Sequence, residues 1–328
     1  MRCEVSLSKI GDGEDELRIL SDGEMRRDAW MTGFSAAVEG FVTDYAPVEQ
    51  RKPDGTIVPV IGHHKPVRER LKQVSRFTEH EAAFMNEHAP GPFKITMPSP
   101  SGIARSGYLP GISNYAYPTR EELQHDLVEI ISAEMLQLTS EGVAYIQLDM
   151  GFSVYVINER FEEFERAGSN PEYELQRDIA ADNLCYDLLP PTIIRAMHLC
   201  RGSRTSWSGG IGGYDWLAER LFDQLHVDRF LLEYDTERAG GFEPLRFMPK
   251  GKVAVLGLVS SKAPGLEKQE ALLRRIDEAS KFCPIDQLAL SPQCGFQGAA
   301  DRDGAHMTIE EQRRKLELVV ETAHKIWG

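Results

Sequence analysis

Short apolar runs separated by longer amphipathic stretches leave this chain few folds to choose from. Seven such runs occur: Leu17–Leu20, Phe93–Met97, Ala144–Leu148, Ile193–Leu199, Phe230–Leu232, Val253–Val259 and Leu288–Leu290. A strand covered on both faces reads as a continuous apolar run of this length, because neither face meets water. The stretches between them carry apolar residues three and four apart, the spacing of a helix with one buried face. Arg120–Thr139 follows that pattern, with Thr119 placed to cap it ahead of Glu121 and Glu122. Tyr214–Leu225, Leu266–Phe282 and Thr308–Trp327 read the same way, and Thr308-Ile309-Glu310-Glu311 fits a capping box. Strand and helix in alternation predict an α/β architecture with parallel strands.

The length of 328 residues suits a TIM-like (β/α)8 barrel better than an open sheet. Such a barrel needs an eighth strand, which is expected near the start of the chain. Cys3–Leu7 is a candidate, but the acidic, glycine-containing link from it to Leu17 is too short for a crossover helix. The first βα unit is therefore expected to be irregular or missing. The Pro- and Gly-rich stretch Ala46–Pro66 is expected to be a loop insertion, and residues 1–328 otherwise to form a single barrel.

Charge and cysteine usage narrow the function. Lys and Arg number 37 against 51 Asp and Glu, a formal net charge of −14. No surplus of cations is available to neutralise phosphates, which argues against nucleic acid or an anionic membrane as partner. No apolar stretch approaches the length of a membrane span, and the N-terminus turns acidic at once without a signal-peptide core, so a cytoplasmic protein is expected. Five cysteines, Cys3, Cys185, Cys200, Cys283 and Cys294, make an odd and scattered set. That is a poor disulfide framework and shifts attention to free thiols or metal ligands.

Three of the strand ends carry chemistry. Ile193–Cys200 ends with His198 and Cys200 two residues apart, so in an extended strand the imidazole and the thiol project to the same side. The next strand ends in Glu233, and Ser291-Pro292-Gln293-Cys294-Gly295 closes the last. In a parallel barrel all strand C-termini open on one rim, where active sites sit. His198, Cys200, Glu233 and Cys294 delivered there form a four-ligand set of the kind Zn2+ accepts, and thiolates argue against magnesium or calcium. Cys3, Cys185 and Cys283 lack such partners and read as structural.

His198-Leu199-Cys200, Glu233 and Cys294-Gly295 resemble the zinc-ligand pattern of cobalamin-independent methionine synthase, in its C-terminal catalytic barrel. Ser21-Asp22-Gly23-Glu24 is similar to the family's Asp-Gly-Glu segment, and Ile146-Gln147-Leu148-Asp149 to the strand carrying its aspartate. The resemblance runs from about Leu17 to Gly328. It implies that Glu24 and Asp149 hold the amino group of homocysteine by charge-assisted hydrogen bonds. It also implies a zinc-bound substrate thiolate as nucleophile, since only the thiolate is reactive and metal binding deprotonates it. The partners implied are a small-molecule thiol and a methyl or alkyl donor.

Four departures from that family bear on the reaction. The N-terminal half of the longer plant and bacterial enzyme has no counterpart in this chain, and the family's Gly-Ser segment on the first strand is not recognisable. Met150-Gly151 follows Asp149 where the family has Glu-Pro, and Val259 stands where the family places a histidine thought to protonate the departing folate. Val259 cannot donate a proton; Lys262 and Arg201 are cations better suited to binding an anionic group. Three readings stay open: methyl transfer to homocysteine from methyltetrahydrofolate or a corrinoid, a related thiol alkylation such as epoxyalkane:coenzyme M transfer, and a barrel that binds zinc or thiol without turnover.

Overall fold

The structure, a computed structural model, describes residues 6–9, 16–24, 26–27, 31–43, 48–51, 57–60, 65–166, 168–201, 211–296 and 307–328. Cys3 lies outside them. The strands among them are β1 (Ser6–Lys9), β2 (Glu16–Ile19), β3 (Val38–Phe41), β4 (Val48–Arg51), β5 (Ile57–Val60), β6 (Val67–Gln73), β7 (Lys94–Pro98), β8 (Tyr145–Asp149), β9 (Ile194–Leu199), β10 (Arg229–Glu233), β11 (Val253–Val259) and β12 (Leu288–Pro292). Six of them, β7 to β12, lie side by side in chain order and parallel. Each reaches its neighbour through a helical connection, as parallel pairing requires.

The expected irregular start is a hairpin. β1 pairs antiparallel with β2 and with β12, so the eight-stranded order is β2-β1-β12-β11-β10-β9-β8-β7. The short link between Lys9 and Glu16 can reverse the chain but cannot carry a crossover helix, so β1 enters the ring against the grain. Leu20, just past β2, bridges Phe93, just before β7, in parallel. Leu20 N donates to Pro92 O at 3.0 Å and Lys94 N to Leu20 O at 2.8 Å. The two edges of the order thereby meet, which gives the TIM-like closure.

Two antiparallel pairs stand apart from the ring: β3 with β6, and β4 with β5. The latter pair falls within Ala46–Pro66, so this stretch carries β structure where a loop was expected. The sequence holds part of the reason: the β-branched run Thr56-Ile57-Val58 follows Lys52-Pro53-Asp54-Gly55, a turn-forming composition.

The helices behind the strands follow their sequence signals. Arg120–Ser140 starts with Thr119 Oγ1 accepting from Glu122 N, and Ile309–Trp327 with the full Thr308–Glu311 capping box. The other two expected helices are shorter than their periodic stretches, at Asp215–Leu221 and Gln269–Ala279. No helix among the described residues is long and apolar enough to cross a membrane.

Strand alternation divides the core in two. Outward residues such as Ile95, Met97, Ile146, Leu148, Met197 and Leu199 pack against the helices, while Ile19, Tyr145, Ala196, Leu231, Val255 and Ala289 fill the interior of the ring. Side chains two and four positions further along the same inward rows end at the C-terminal rim.

Beneath that rim, Asp182 of the helix Pro171–Tyr186 accepts from Ser101 N at 3.0 Å and Ser101 Oγ at 2.8 Å, fully buried. Burial pushes its carboxyl up to about 8, while an unfolded aspartate titrates near 4. Between these values the folded state holds a proton that the unfolded state has lost, so stability falls as pH rises through that window. Asp182→Asn keeps a neutral side chain of the same shape at every pH. We expect its Tm, followed by calorimetry from pH 5 to 8, to decline less than that of the unmodified protein; parallel profiles would refute this assignment.

Candidate metal centre

The inward rows of three strands converge at the rim. On β9, Ala196 and His198 share one side, and Cys200 follows two residues later; on β10, Leu231 and Glu233 share the same side; Cys294 lies just past β12. The parallel register sets His198 beside Leu231 and Asp149 beside His198. One donor atom from each of His198, Cys200, Glu233 and Cys294 lies within 4.8 Å of every other. All four residues predicted from the strand ends therefore meet in one place.

The chemistry of the donors suits a soft-to-borderline divalent cation. His198 Nε2 is buried without a hydrogen-bond partner and sits 3.5 Å from Glu233 Oε1. An orphaned ring nitrogen facing a carboxylate and two thiols is an open ligand position. Neither Cys200 nor Cys294 forms a disulfide among the described residues. The hydrogen bond from Cys294, helped by the imidazole, lowers Cys200 to about 6, and giving that bond pushes Cys294 well up. Burial alone would raise Glu233, but the imidazole, Lys262 and Arg238 outweigh it and hold the carboxyl down at about 2. Without a cation the cluster has to share protons among buried groups; a divalent ion would take their place.

Glu233 is held in orientation. Its Oε2 accepts from Arg238 at 2.6 Å and from Gln293 Nε2 at 3.0 Å, while Oε1, facing His198, accepts from Arg201 N at 2.9 Å. Arg201 in turn lies over the Tyr214 ring. Such supports fix a ligand's direction and tune its charge. Sequence reasoning missed Gln293 and Arg238; only the adjacency of Gln293 to Cys294 hinted at the first.

Glu24 and Asp149 flank the cluster. Ser21 Oγ accepts from Gly23 N at 3.0 Å and Asp22 Oδ1 from Glu24 N at 2.9 Å, a pair of side-chain-closed turns that carries Gly23 and Glu24 at φ 67° and 60°. A left-handed glutamate is strained, and its surroundings enforce the conformation. Thr96 Oγ1 donates to Glu24 Oε1 at 2.8 Å, and Arg27, itself paired with buried Glu81, stands 3.6 Å from the same oxygen. A Cβ on Gly295 would lie 3.2 Å from Gly23 O, so a glycine there lets the Cys294 loop approach the Glu24 turn. Asp149 is buried, which pushes its carboxyl up to about 7, with His198 pulling it down and Glu24 and Cys200 adding to the rise. At Met150-Gly151 the chain is tightly packed: Met150 has φ 69°, and a Cβ at Gly151 would fall 2.7 Å from Asp182 Oδ2.

The remaining sequence candidates fall elsewhere. Cys185 and Cys283 are buried in the apolar core, where Ser132 Oγ donates to the Cys185 sulfur at 3.3 Å. Val259 packs with Leu256 and Leu258 in the layer against the helices, past a register shift between Gly257 and Val259. Lys262 is mostly buried, 3.6 Å from Asp235.

A ring of mostly parallel strands carries a four-donor cluster and two carboxylates at its C-terminal mouth, the end where barrels of this type hold their active sites. The model of the cobalamin-independent synthase catalytic domain matches residues 10–325, and the chain belongs to that methionine synthase family, whose members are methyltransferases. It is 34% identical over 325 residues to the Bacillus subtilis (strain 168) protein YxjG, covering 96% of this chain and 82% of that one. The methionine synthase of Pyrococcus horikoshii is 25% identical over 305 residues, 91% of this chain and 76% of that one. A B12-independent methionine synthase from Shewanella sp. W3-18-1, solved with selenomethionine, shares the fold with a TM-score of 0.67 at 20% identity over 94% of this chain and 82% of that one.

Two substitutions test the cluster as a metal site. Cys294→Ser should strip most bound zinc, read by elemental analysis; stoichiometric zinc in that variant would remove Cys294 from the ligand set. Gln293→Leu should weaken zinc roughly tenfold in chelator competition, the usual scale for losing a ligand's supporting hydrogen bond.

Proposed function

We propose that this protein is a zinc-dependent S-methyltransferase that methylates an amino-acid thiol, homocysteine foremost, from methyltetrahydrofolate or a corrinoid donor. Residues 1–328 act as one catalytic barrel, and His198, Cys200, Glu233 and Cys294 hold the metal. The observation that carries this reading is the convergence of four soft and borderline donors between two carboxylates, Glu24 and Asp149. Bound there, Zn2+ supplies the positive charge that keeps a substrate thiol deprotonated near neutral pH.

The chain's own residues do the rest. Glu24 and Asp149 accept hydrogen bonds from the substrate ammonium and so fix the distance from amino group to sulfur. Arg201, Arg238 and Gln293 keep the Glu233 carboxylate directed inward. As the sulfur–carbon bond forms, the donor's nitrogen–methyl or cobalt–methyl bond breaks and its electron pair stays with the donor. Val259 offers no proton for a folate leaving group. Lys262, held below the usual ammonium range by burial with Glu233 and Asp235 pulling the other way, is the cation on that side for the proton or for an anionic contact.

The intact carboxylate pair favours an ammonium-bearing thiol over a sulfonate such as coenzyme M, which asks for cations at that place. A small-molecule reaction of free thiols fits a reducing, cytoplasmic setting with neither nucleic acid nor membrane as partner.

Zinc X-ray absorption with and without homocysteine tests the reading. A new sulfur neighbour on adding homocysteine is expected; an unchanged coordination sphere with every amino thiol would favour a barrel that binds zinc without turnover. Glu24→Gln should weaken homocysteine about tenfold, the scale of one charge-assisted hydrogen bond, with zinc content unchanged. Equal affinity in the two proteins would remove the ammonium contact.

A further inference from the structure

We propose that Lys94 and Gln147 form a positioning relay inside the barrel that sets which oxygen of Asp149 meets the substrate; the inference rests on the reading of Asp149 as an ammonium acceptor. The three residues occupy successive levels of the interior. Lys94 opens β7 next to Tyr145, Gln147 lies one level higher on β8 next to Thr96, and Asp149 ends β8 at the rim. Lys94 Nζ donates to Gln147 Oε1 at 2.9 Å, and Gln147 Nε2 donates to Asp149 Oδ1 at 3.1 Å. All three side chains are buried, Lys94 at 2% exposure.

The direction of this chain follows from donor chemistry. An ammonium has only donors, so Lys94 compels the Gln147 amide to turn its carbonyl downward. Its NH2 then has to face the rim, where it meets Asp149. With the amide reversed, its oxygen would point at a carboxylate and its NH2 at an ammonium, and both contacts would repel. Gln147 thereby occupies Oδ1, and Oδ2 has no hydrogen-bond partner among the described residues. That oxygen is left for the incoming ammonium.

Burying an ammonium inside a barrel is costly, and Lys94 directs donor capacity there at Gln147, which orients the amide. The neighbouring strand shows the same logic at that level, with Thr96 donating to Glu24. Gln147 and Thr96 lie side by side in register, so one rung of the β7–β8 ladder orients both substrate carboxylates.

The zinc-loaded full chain with three near-isosteric changes, Gln147→Leu, Lys94→Met and the double variant, tests the relay. The readouts are zinc content, melting temperature, and affinity for homocysteine beside 4-mercaptobutanoate, which lacks the amino group. We expect Gln147→Leu to weaken homocysteine about tenfold while zinc and 4-mercaptobutanoate binding stay unchanged. Lys94→Met should shift the same ratio in the same direction and add nothing in the Gln147→Leu background, because it acts through Gln147. If both thiols weaken together, if the ratio stays at its original value, or if the two effects simply add, the relay is wrong. Should Lys94→Met fail to fold, the Gln147→Leu ratio decides alone. An unmodified protein that shows no preference for homocysteine over 4-mercaptobutanoate overturns the reading of Asp149 and the relay with it. A preference that the variants leave intact overturns the relay only.

Discussion

Period-two alternation along strands held in parallel register is the constraint on which the rest of this molecule depends. Once β8, β9 and β10 pair with Asp149 beside His198 and His198 beside Leu231, the inward rows are fixed from floor to rim. The same alternation that buries Tyr145, Ala196 and Leu231 inside the ring aims Asp149, His198, Cys200 and Glu233 at its mouth. A slip of one residue in any of these strands would send its functional group outward among the helices. Core packing and site assembly are thus one geometric fact, and the stability of the interior protects the alignment of the donors.

Electrostatics then separates two zones at the rim. Four donors gather where their buried, proton-sharing state is poorly satisfied without a cation, as the unpartnered His198 Nε2 shows. Around them the chain invests in orientation: Arg238 and Gln293 hold Glu233, Thr96 and Arg27 hold Glu24, and Gln147 holds Asp149. Every one of these supports occupies one oxygen of a carboxylate or steadies it from one side. Carboxylates in a low-dielectric mouth interact strongly with a substrate cation only if they do not have to reorganise, and fixing them beforehand removes that cost.

The sequence revealed the metal-competent residues because their signal is local. His198 and Cys200 share a strand face through their spacing alone, and Glu233 and Cys294 sit at the ends of apolar runs that can only be strands. The supports were hidden for the opposite reason. Lys94 and Gln147 are 53 residues apart, and Arg27 and Glu81 are 54 apart, so no window of sequence contains either pair. Gln293 gave a hint only through its neighbour. Within Ala46–Pro66 the pairing of β4 with β5 was not legible, because Val48-Glu49-Gln50-Arg51 carries a single β-branched residue and the proline and glycine content reads as loop. Val259 was aligned with a site histidine by its place in the strand, whereas the register shift beside it turns that side chain into the apolar layer.

What the sequence determined by itself was the alternation of strand and helix, the helix starts at Thr119 and Thr308, and the identity of the four donors. These rest on short-range chemistry: side-chain period, capping hydrogen bonds, and residue type at a strand end. Only the tertiary structure decided that the ring closes through Leu20 and Phe93 after an antiparallel β1, that Gly151 has no room for a Cβ and Gly295 little, and that Glu24 adopts a left-handed conformation. Those outcomes depend on which surfaces meet across long stretches of chain, and a contact made by closure leaves no periodic mark in the residues that make it.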